Sequence, residues 1–308
     1  TLEMAIHTDW ATPAFDLPAV AETLGPFPGR VWLETWWRNR GSGELLIADT
    51  ADSLVALTNT EGLVEFAGEA DLTDYHSPLG GTSATALSVV VEDLPAGIRL
   101  RLDSLPAVAS RAVVQALVTA GLSPTVHQHE VTAILDLPDS FEAYLATIGK
   151  KERHELRRKR RRFDNERGST TLERRSGSEA VALFADLHRR SAGDKGTFMT
   201  ADMEQFFLAL HQTAGGVIDV LVDGSGIPAS AIFSFEDDEA TYLYNSAFEP
   251  DVGHLSPGNV VLSYMIESAI GRGHTVFDFL KGDETYKFRL GARPRPLYEV
   301  SATTGTKP

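Results

Sequence analysis

YLYNSAFEPDVGHLSPGNVVLSYMIESAIGRGHTVFDFLKGDETYKFRLGAR, Tyr242 to Arg293, is the stretch on which the fold turns. It reads as a strand, a glycine-containing turn, an apolar helix over 258–271, a second strand from Thr275 to Leu280 and a short charged helix. Ser256-Pro257-Gly258-Asn259 opens the apolar helix. Amides in the first turn of a helix are unpaired donors at the positive end of its dipole. Ser256, Gly258, Asn259 and Val260 are therefore expected to form a site for a phosphate-sized anion, with an ordinary Ser-Pro-Gly turn as the alternative. The second strand runs into Lys281-Gly282-Asp283-Glu284, followed at once by Tyr286 and Lys287. On a helix beginning near Asp283, Asp283 and Lys287 are spaced i, i+4 with Glu284 beside them. That cluster is either a helix start carrying one salt bridge or a set of proton-transfer groups.

Working outward, Ile218, Val220 and Val222 alternate with polar residues, as do Ala229, Ala231, Phe233 and Phe235, and Tyr242 and Tyr244 continue the pattern. Three antiparallel strands follow from this period of two. The crossover through the apolar helix should return the next strand parallel to its predecessor. Helices are expected at Ser178–Ser191 and from Thr200, with Gly193–Phe198 between them as a loop able to act as a lid or binding edge. The order becomes helix, helix, three strands, helix, strand, helix, strand.

The first half is less periodic. A turn and helix occupy 26–40, where Trp32, Trp36 and Trp37 form a broad apolar face suited to a core. Short strands are expected at 45–48, 54–57, 63–66, 87–91 and 98–103, then a helix over 106–120 ended by Gly121, then a strand at 131–137. Glu142, three residues after Asp139, suggests a capping box. The helix after Gly149 holds ten Lys/Arg against four Asp/Glu in Lys150–Arg167, and is expected to bridge the halves along the surface. The domains expected are 1–137 and 138–308, in an α/β (α+β) arrangement with mixed, largely antiparallel sheets.

The 308 residues are 43% hydrophobic, enough for two cores, and the net charge is −15. So acidic a surface repels nucleic acid, apart from the basic segment at 150–167, which either pairs with the acidic body or guides a polyanion such as tRNA. No apolar run is long enough to span a bilayer. The first residues show neither a basic nor an apolar leader region, so a cytoplasmic location is expected. With no cysteine there is no disulfide, thiolate zinc site or cysteine nucleophile. His127 and His129 share one strand face without a third ligand at suitable spacing, so no metal is expected. The motifs of nucleotide hydrolases, dinucleotide-binding folds, serine hydrolases and zincins are missing.

The element order resembles the GNAT N-acyltransferase fold. Val276-Phe277-Asp278-Phe279-Leu280-Lys281-Gly282-Asp283-Glu284-Thr285-Tyr286-Lys287, Ser256-Pro257-Gly258, and the helix around Tyr144, Lys150, Arg153 and Leu156 look like the CelD-type members of that family. Trp32, Trp36, Trp37, Gly68, Asp74 and Tyr75 extend the resemblance to the first half. These proteins are similar to the Fem peptidyltransferases, in which two GNAT-like domains form a tandem. The resemblance implies two tandem GNAT-like domains and acyl transfer from acyl-CoA, acetyl-CoA first, to a small-molecule or sugar-linked amine, with no covalent enzyme intermediate and no metal. It implies a catalytic role for Lys287; by their own chemistry Glu284 or Asp283 can take the amine proton, and Tyr286 or Lys287 can stabilise the oxyanion or protonate the thiolate. Donor binding is expected at Ser256, Gly258, Asn259 and Val260, and acceptor binding by Asp74, Tyr75, Arg153 and Tyr244 near the interdomain cleft of such a tandem. The usual Gln/Arg-x-x-Gly-x-Gly/Ala signature lacks its first residue in GHLSPGNV. That departure leaves two other readings open: a Fem-like aminoacyltransferase using aminoacyl-tRNA, and a non-catalytic accessory protein of polysaccharide biosynthesis.

Overall fold

The computed structural model describes residues 5–10, 17, 23–50, 52–191 and 194–305. The chain forms two compact units, residues 1–131 with 295–308 and residues 132–294. The expected partition at 137/138 placed the whole C-terminal segment in the second domain. The structure instead groups 295–308 with the first unit, because the last strand pairs there.

In the first unit the chain runs β1 (Ala5–His7), α1 (Arg30–Arg40), β2 (Glu44–Thr50), β3 (Ser53–Thr60), β4 (Leu63–Phe66), α2 (Ser83–Asp93), β5 (Arg99–Pro106), α3 (Ala107–Thr119) and into β6 (Thr125–Asp136). β1 to β4 form an antiparallel meander and β5 lies parallel to β4. Leu57, Val64, Leu100 and Leu102 point to one face, where Ala86, Leu87, Val90 and Val91 of α2 and Val113 and Leu117 of α3 cover them. The expected strand at 87–91 is thus part of a helix. Its branched residues favour a strand locally, but Leu87, Val90 and Val91 fall at helical spacing and bury one face against the sheet.

The second unit continues with α4 (Phe141–Thr147), α5 (Lys150–Arg167), β7 (Thr171–Arg175), α6 (Ser178–Arg189), α7 (Asp194–Phe198), α8 (Ala201–Thr213), β8 (Val217–Val222), β9 (Pro228–Glu236), β10 (Ala240–Phe248), α9 (Pro257–Gly271), β11 (Val276–Lys281) and α10 (Thr285–Arg289). β12 (Arg293–Thr303) then pairs antiparallel with β5, from Leu297↔Pro106 to Thr303↔Arg99. β7 to β10 are antiparallel neighbours, β11 is parallel to β10, and the 132–136 part of β6 pairs antiparallel with β11.

Four local expectations are corrected. The helix cap at 140 is Ser140, whose hydroxyl accepts from the Ala143 amide at 3.2 Å, not a capping box from Asp139. α5 is not a bridge between halves: it lies within the second unit and buries Leu156 and Phe163 in the core that includes Val260, Val261 and Met265 of α9. Residues 194–198 of the expected loop are a short helix, with the Phe198 ring 6.3 Å from that of Phe207. Ala192 and Gly193 lie outside the described residues. Finally, α10 starts at Thr285, which makes Glu284 rather than Asp283 the partner of Lys287.

Candidate active site

β10 and β11 pair over only three residues, Ala240↔Val276 to Tyr242↔Asp278. Both strands continue beyond that point without pairing to each other. On β10 the register with β9 slips between Leu243 and Asn245. On β11, Leu280 takes a left-handed conformation, φ 59°. The carboxylate of buried Asp278 accepts from the Leu280 amide at 2.8 Å and fixes this turn. A branched or bulky residue at positive φ is costly and is kept where its surroundings over-determine it.

The chain after Leu280 wraps around one ammonium group. Lys287, 2% exposed, donates from Nζ to the carbonyl oxygens of Lys281 at 2.5 Å, Gly282 at 3.3 Å and Leu280 at 3.4 Å, and lies 2.9 Å from the Glu284 carboxylate. Gly282 has φ 110°, and a Cβ there would sit 2.3 Å from Glu284 Oε2 and 3.0 Å from Lys287 Nζ. The positive φ favours glycine at this position, and a Cβ would in addition push the Glu284 carboxylate aside. The Glu284 side chain is 55% exposed and available to a substrate. Asp283 is exposed. Burial, with the Glu284 charge behind it, pushes the Tyr286 hydroxyl up to about 12. Buried Tyr144, itself raised by burial, donates to the Leu290 carbonyl at 3.0 Å and ties α4 to the end of α10.

Beside this turn a cavity of about 360 Å³ is lined by Lys151, Lys159, Asn259, Tyr286 and Arg289, with Glu152 and Glu155. Burial, and behind it the Arg158 and Arg289 cations, hold the Lys159 ammonium below its ordinary value against the pull of Glu155. Most arginines of the basic helix are otherwise engaged: Arg157 with Glu142, Arg158 with Glu155, Arg160 with Glu267, Arg162 with Glu166 and Arg167 with Asp223. Arg160 also stacks 3.8 Å from the Tyr264 ring centroid.

At the start of α9, Ser256 is left-handed and its carbonyl accepts from both the Asn259 and Val260 amides, at 3.0 and 3.2 Å. The Val260 side chain is buried in the core, and Asn259 reaches the cavity. A Cβ on Gly258 would meet nothing within 4 Å, so packing does not demand glycine there. Lys159 and Arg289 were not singled out in the sequence. Their signal lay in motifs already noted, one in the basic helix and one two residues after Lys287.

The expected acceptor residues are divided between the two units. Asp74 and Tyr75 belong to the first unit, Arg153 and Tyr244 to the second. Tyr75 is a core residue: its ring packs edge-on to Phe27 at 6.1 Å, and its hydroxyl accepts from the Arg295 guanidinium. Arg153 donates to the Leu145 carbonyl at 3.0 Å, near the end of α4. Tyr244 packs among the rings of Phe207, Phe233 and Phe235. Among the described residues no three His, Asp or Glu side chains converge as a metal site, and no helix is long and apolar enough to cross a membrane.

Residues 150–288 match the acetyltransferase (GNAT) domain. The matched stretch contains α5, α9, β11 and nearly all of α10, which carry most of the cavity lining and the Lys287 turn. No curated protein matches the chain in sequence. Among solved structures, a conserved protein of unknown function from Bacteroides thetaiotaomicron superposes with a TM-score of 0.64 at 13% identity, covering 94% of each chain. The C-terminal domain of a putative lysylphosphatidylglycerol synthetase from Agrobacterium fabrum gives 0.62 at 13% identity, covering 93% of this chain and 89% of its own. FemX gives 0.58 at 13% identity over 88% and 90%. At such identities the likeness is one of fold. It extends over both units, in keeping with two GNAT-like domains built on mixed sheets.

Proposed function

We propose that the protein is an N-acyltransferase that moves an acyl group from acyl-CoA, acetyl-CoA in the first instance, to an amine, acting in the cytoplasm. The observation that carries this reading is the cationic cavity at the start of α9, open beside the Lys287 turn. Lys151, Lys159 and Arg289, in excess over Glu152 and Glu155, supply charge for a diphosphate, and Asn259 adds a side-chain donor in the first turn of α9. The acyl chain then lies where β10 and β11 part, with Tyr244 on the acceptor side.

The amine nitrogen attacks the thioester carbonyl directly. Glu284 takes the proton lost by the amine, the C–S bond breaks, and the thiolate takes the Tyr286 hydroxyl proton. Burial makes the Tyr286 hydroxyl a weaker acid, so it keeps its proton until the thiolate charge develops beside it. Lys287 spends its hydrogens on backbone carbonyls and Glu284, so its part is to fix the turn and orient the base. Asp283 is a reserve carboxylate at the rim. Holding both substrates in line supplies much of the rate in such reactions. The finer resemblance to CelD-type members rests on 276–287 and the tryptophans of α1.

An aminoacyl-tRNA donor is the second reading, favoured by the fold likeness to FemX. The ion pairs of Arg157, Arg158 and Arg160 argue for the smaller donor, because each is already neutralised. Mass spectrometry of the protein with acetyl-CoA and a set of amines tests the proposal. An acetylated product that is lost in Glu284→Gln is expected. No product with any amine, together with no binding of CoA, would leave the non-catalytic reading.

A further inference from the structure

We propose a second ligand site in the first unit, built around His76 and selective for a small organic ammonium. It does not depend on the donor site of the GNAT domain. The sheet of the first unit is apolar on the face covered by α2 and α3. On the other face Thr58 and Thr60 of β3, Glu65 of β4, and Arg101 and Asp103 of β5 line a cavity of about 350 Å³. Trp36 of α1 and residues 68–71 complete its lining. The loop is held down by Trp32 Nε1, which donates to Thr73 Oγ1 at 3.1 Å, and by the His76 amide, which donates to the Ser104 carbonyl at 3.0 Å.

His76 is 3% exposed and Asp103 6%. The two meet at 3.0 Å through Nδ1 and Oδ1, and the imidazole stacks on Phe66 with centroids 5.3 Å apart. In the tautomer that donates Nδ1–H to the carboxylate and carries no proton on Nε2, Nε2 is an acceptor. That nitrogen is buried, has no hydrogen-bond partner and belongs to a residue lining the cavity. Gly68 matters here: it has φ 106°, and a Cβ would lie 3.2 Å from Nε2 and cover it. A buried polar atom left without a partner costs stability, so a dyad placed at a cavity wall points to a ligand donor.

The remaining groups define that donor. Arg101 is paired with Glu65, and Glu69 is bonded by Arg40 and by Trp36 Nε1. Burial alone would raise the Glu69 carboxyl, but those two hydrogen bonds more than offset it and lower its pKa. The cations near the cavity are thus spent on Glu65 and Glu69, while Asp71 adds a further carboxylate at the rim. An imidazole lone pair, a carboxylate, threonine hydroxyls and the Trp36 ring together select a compact cation rich in N–H donors.

The test follows the His76 imidazole by NMR, and heat by calorimetry, while the full chain is titrated with glucosamine, with ethanolamine and with uncharged N-acetylglucosamine. At least one of the two amines should bind saturably, shift the His76 Nε2 resonance and bind about tenfold more weakly to Asp71→Asn, as expected for loss of one charged hydrogen bond. Glu284→Gln should leave this binding unchanged. Asp71 is exposed, so its variant keeps the fold, and the wild-type imidazole signal serves as a readout that needs no change at the buried His76. No saturable shift with either amine at tens of millimolar, an undiminished affinity in Asp71→Asn, or equal binding of N-acetylglucosamine would each overturn the proposal.

Discussion

At the scale of single residues the turn after β11 is governed by Lys287. Four acceptors compete for its three hydrogens, and three of them are main-chain carbonyls. Replacing it by methionine removes the ammonium donor from those carbonyls and from Glu284. Lys287→Met should therefore cost about 2–3 kcal/mol in unfolding free energy as well as activity, read from urea titrations. Glu284→Gln should separate the two effects. Its side chain is half exposed, so stability should hold while kcat falls by about 10²–10⁴, the usual range for a general base. Equal losses of stability in both variants would contradict the division of roles. Tyr286 gives a pH signature. Its folded pKa of about 12 lies above the free value of 10.0, so the native state holds the proton more tightly. The resulting stability is complete below pH 10 and is lost as pH rises through 12. Urea midpoints measured across that window should fall less steeply in Tyr286→Phe than in the wild type.

Elements were legible where the sequence pattern and the packing agree. Alternation along 218–222 and 229–235 gave the strands directly, and the apolar helix between two strands gave the parallel crossover. The same reading failed at 87–91, where Val89, Val90 and Val91 favour a strand and burial of Leu87, Val90 and Val91 against β2 to β5 decides for a helix. Asp283 was paired with Lys287 on spacing alone, and the left-handed Leu280 with Gly282 delays the helix so that Glu284 takes the place. The site followed the same rule. The residues of 281–287 could be named from the sequence, but the convergence of Lys159 and Arg289 depends on how α5 packs on α9. Two glycines test this element-level account. Gly282→Ala meets both a positive φ and the Glu284 carboxylate, and should cost about 1–3 kcal/mol. Gly258→Ala meets nothing within 4 Å, so its thermal midpoint should match the wild type while its affinity for CoA falls. A destabilised Gly258→Ala would mean that the start of α9 is shaped by packing rather than for a ligand.

For the whole molecule, the chain leaves the first unit within β6 and returns to it in β12. β12 pairs with β5 over Leu297 to Thr303, and Thr304 accepts the Ile98 amide on its hydroxyl at 2.9 Å. A chain ending at Pro294 removes this strand. Limited proteolysis should then degrade residues 1–131 and spare 132–294, whereas equal protection would show that the first unit does not need β12. The charge of the molecule bears on its donor. With net −15 and the arginines of α5 mostly paired, the cations left at the cavity suit a compact diphosphate better than a long polyanion. Calorimetric titration of the full chain with CoA tests this most directly. The account predicts saturable binding that weakens in Lys159→Ala and in Arg289→Ala, while absence of binding at millimolar CoA, or binding indifferent to both substitutions, would contradict it.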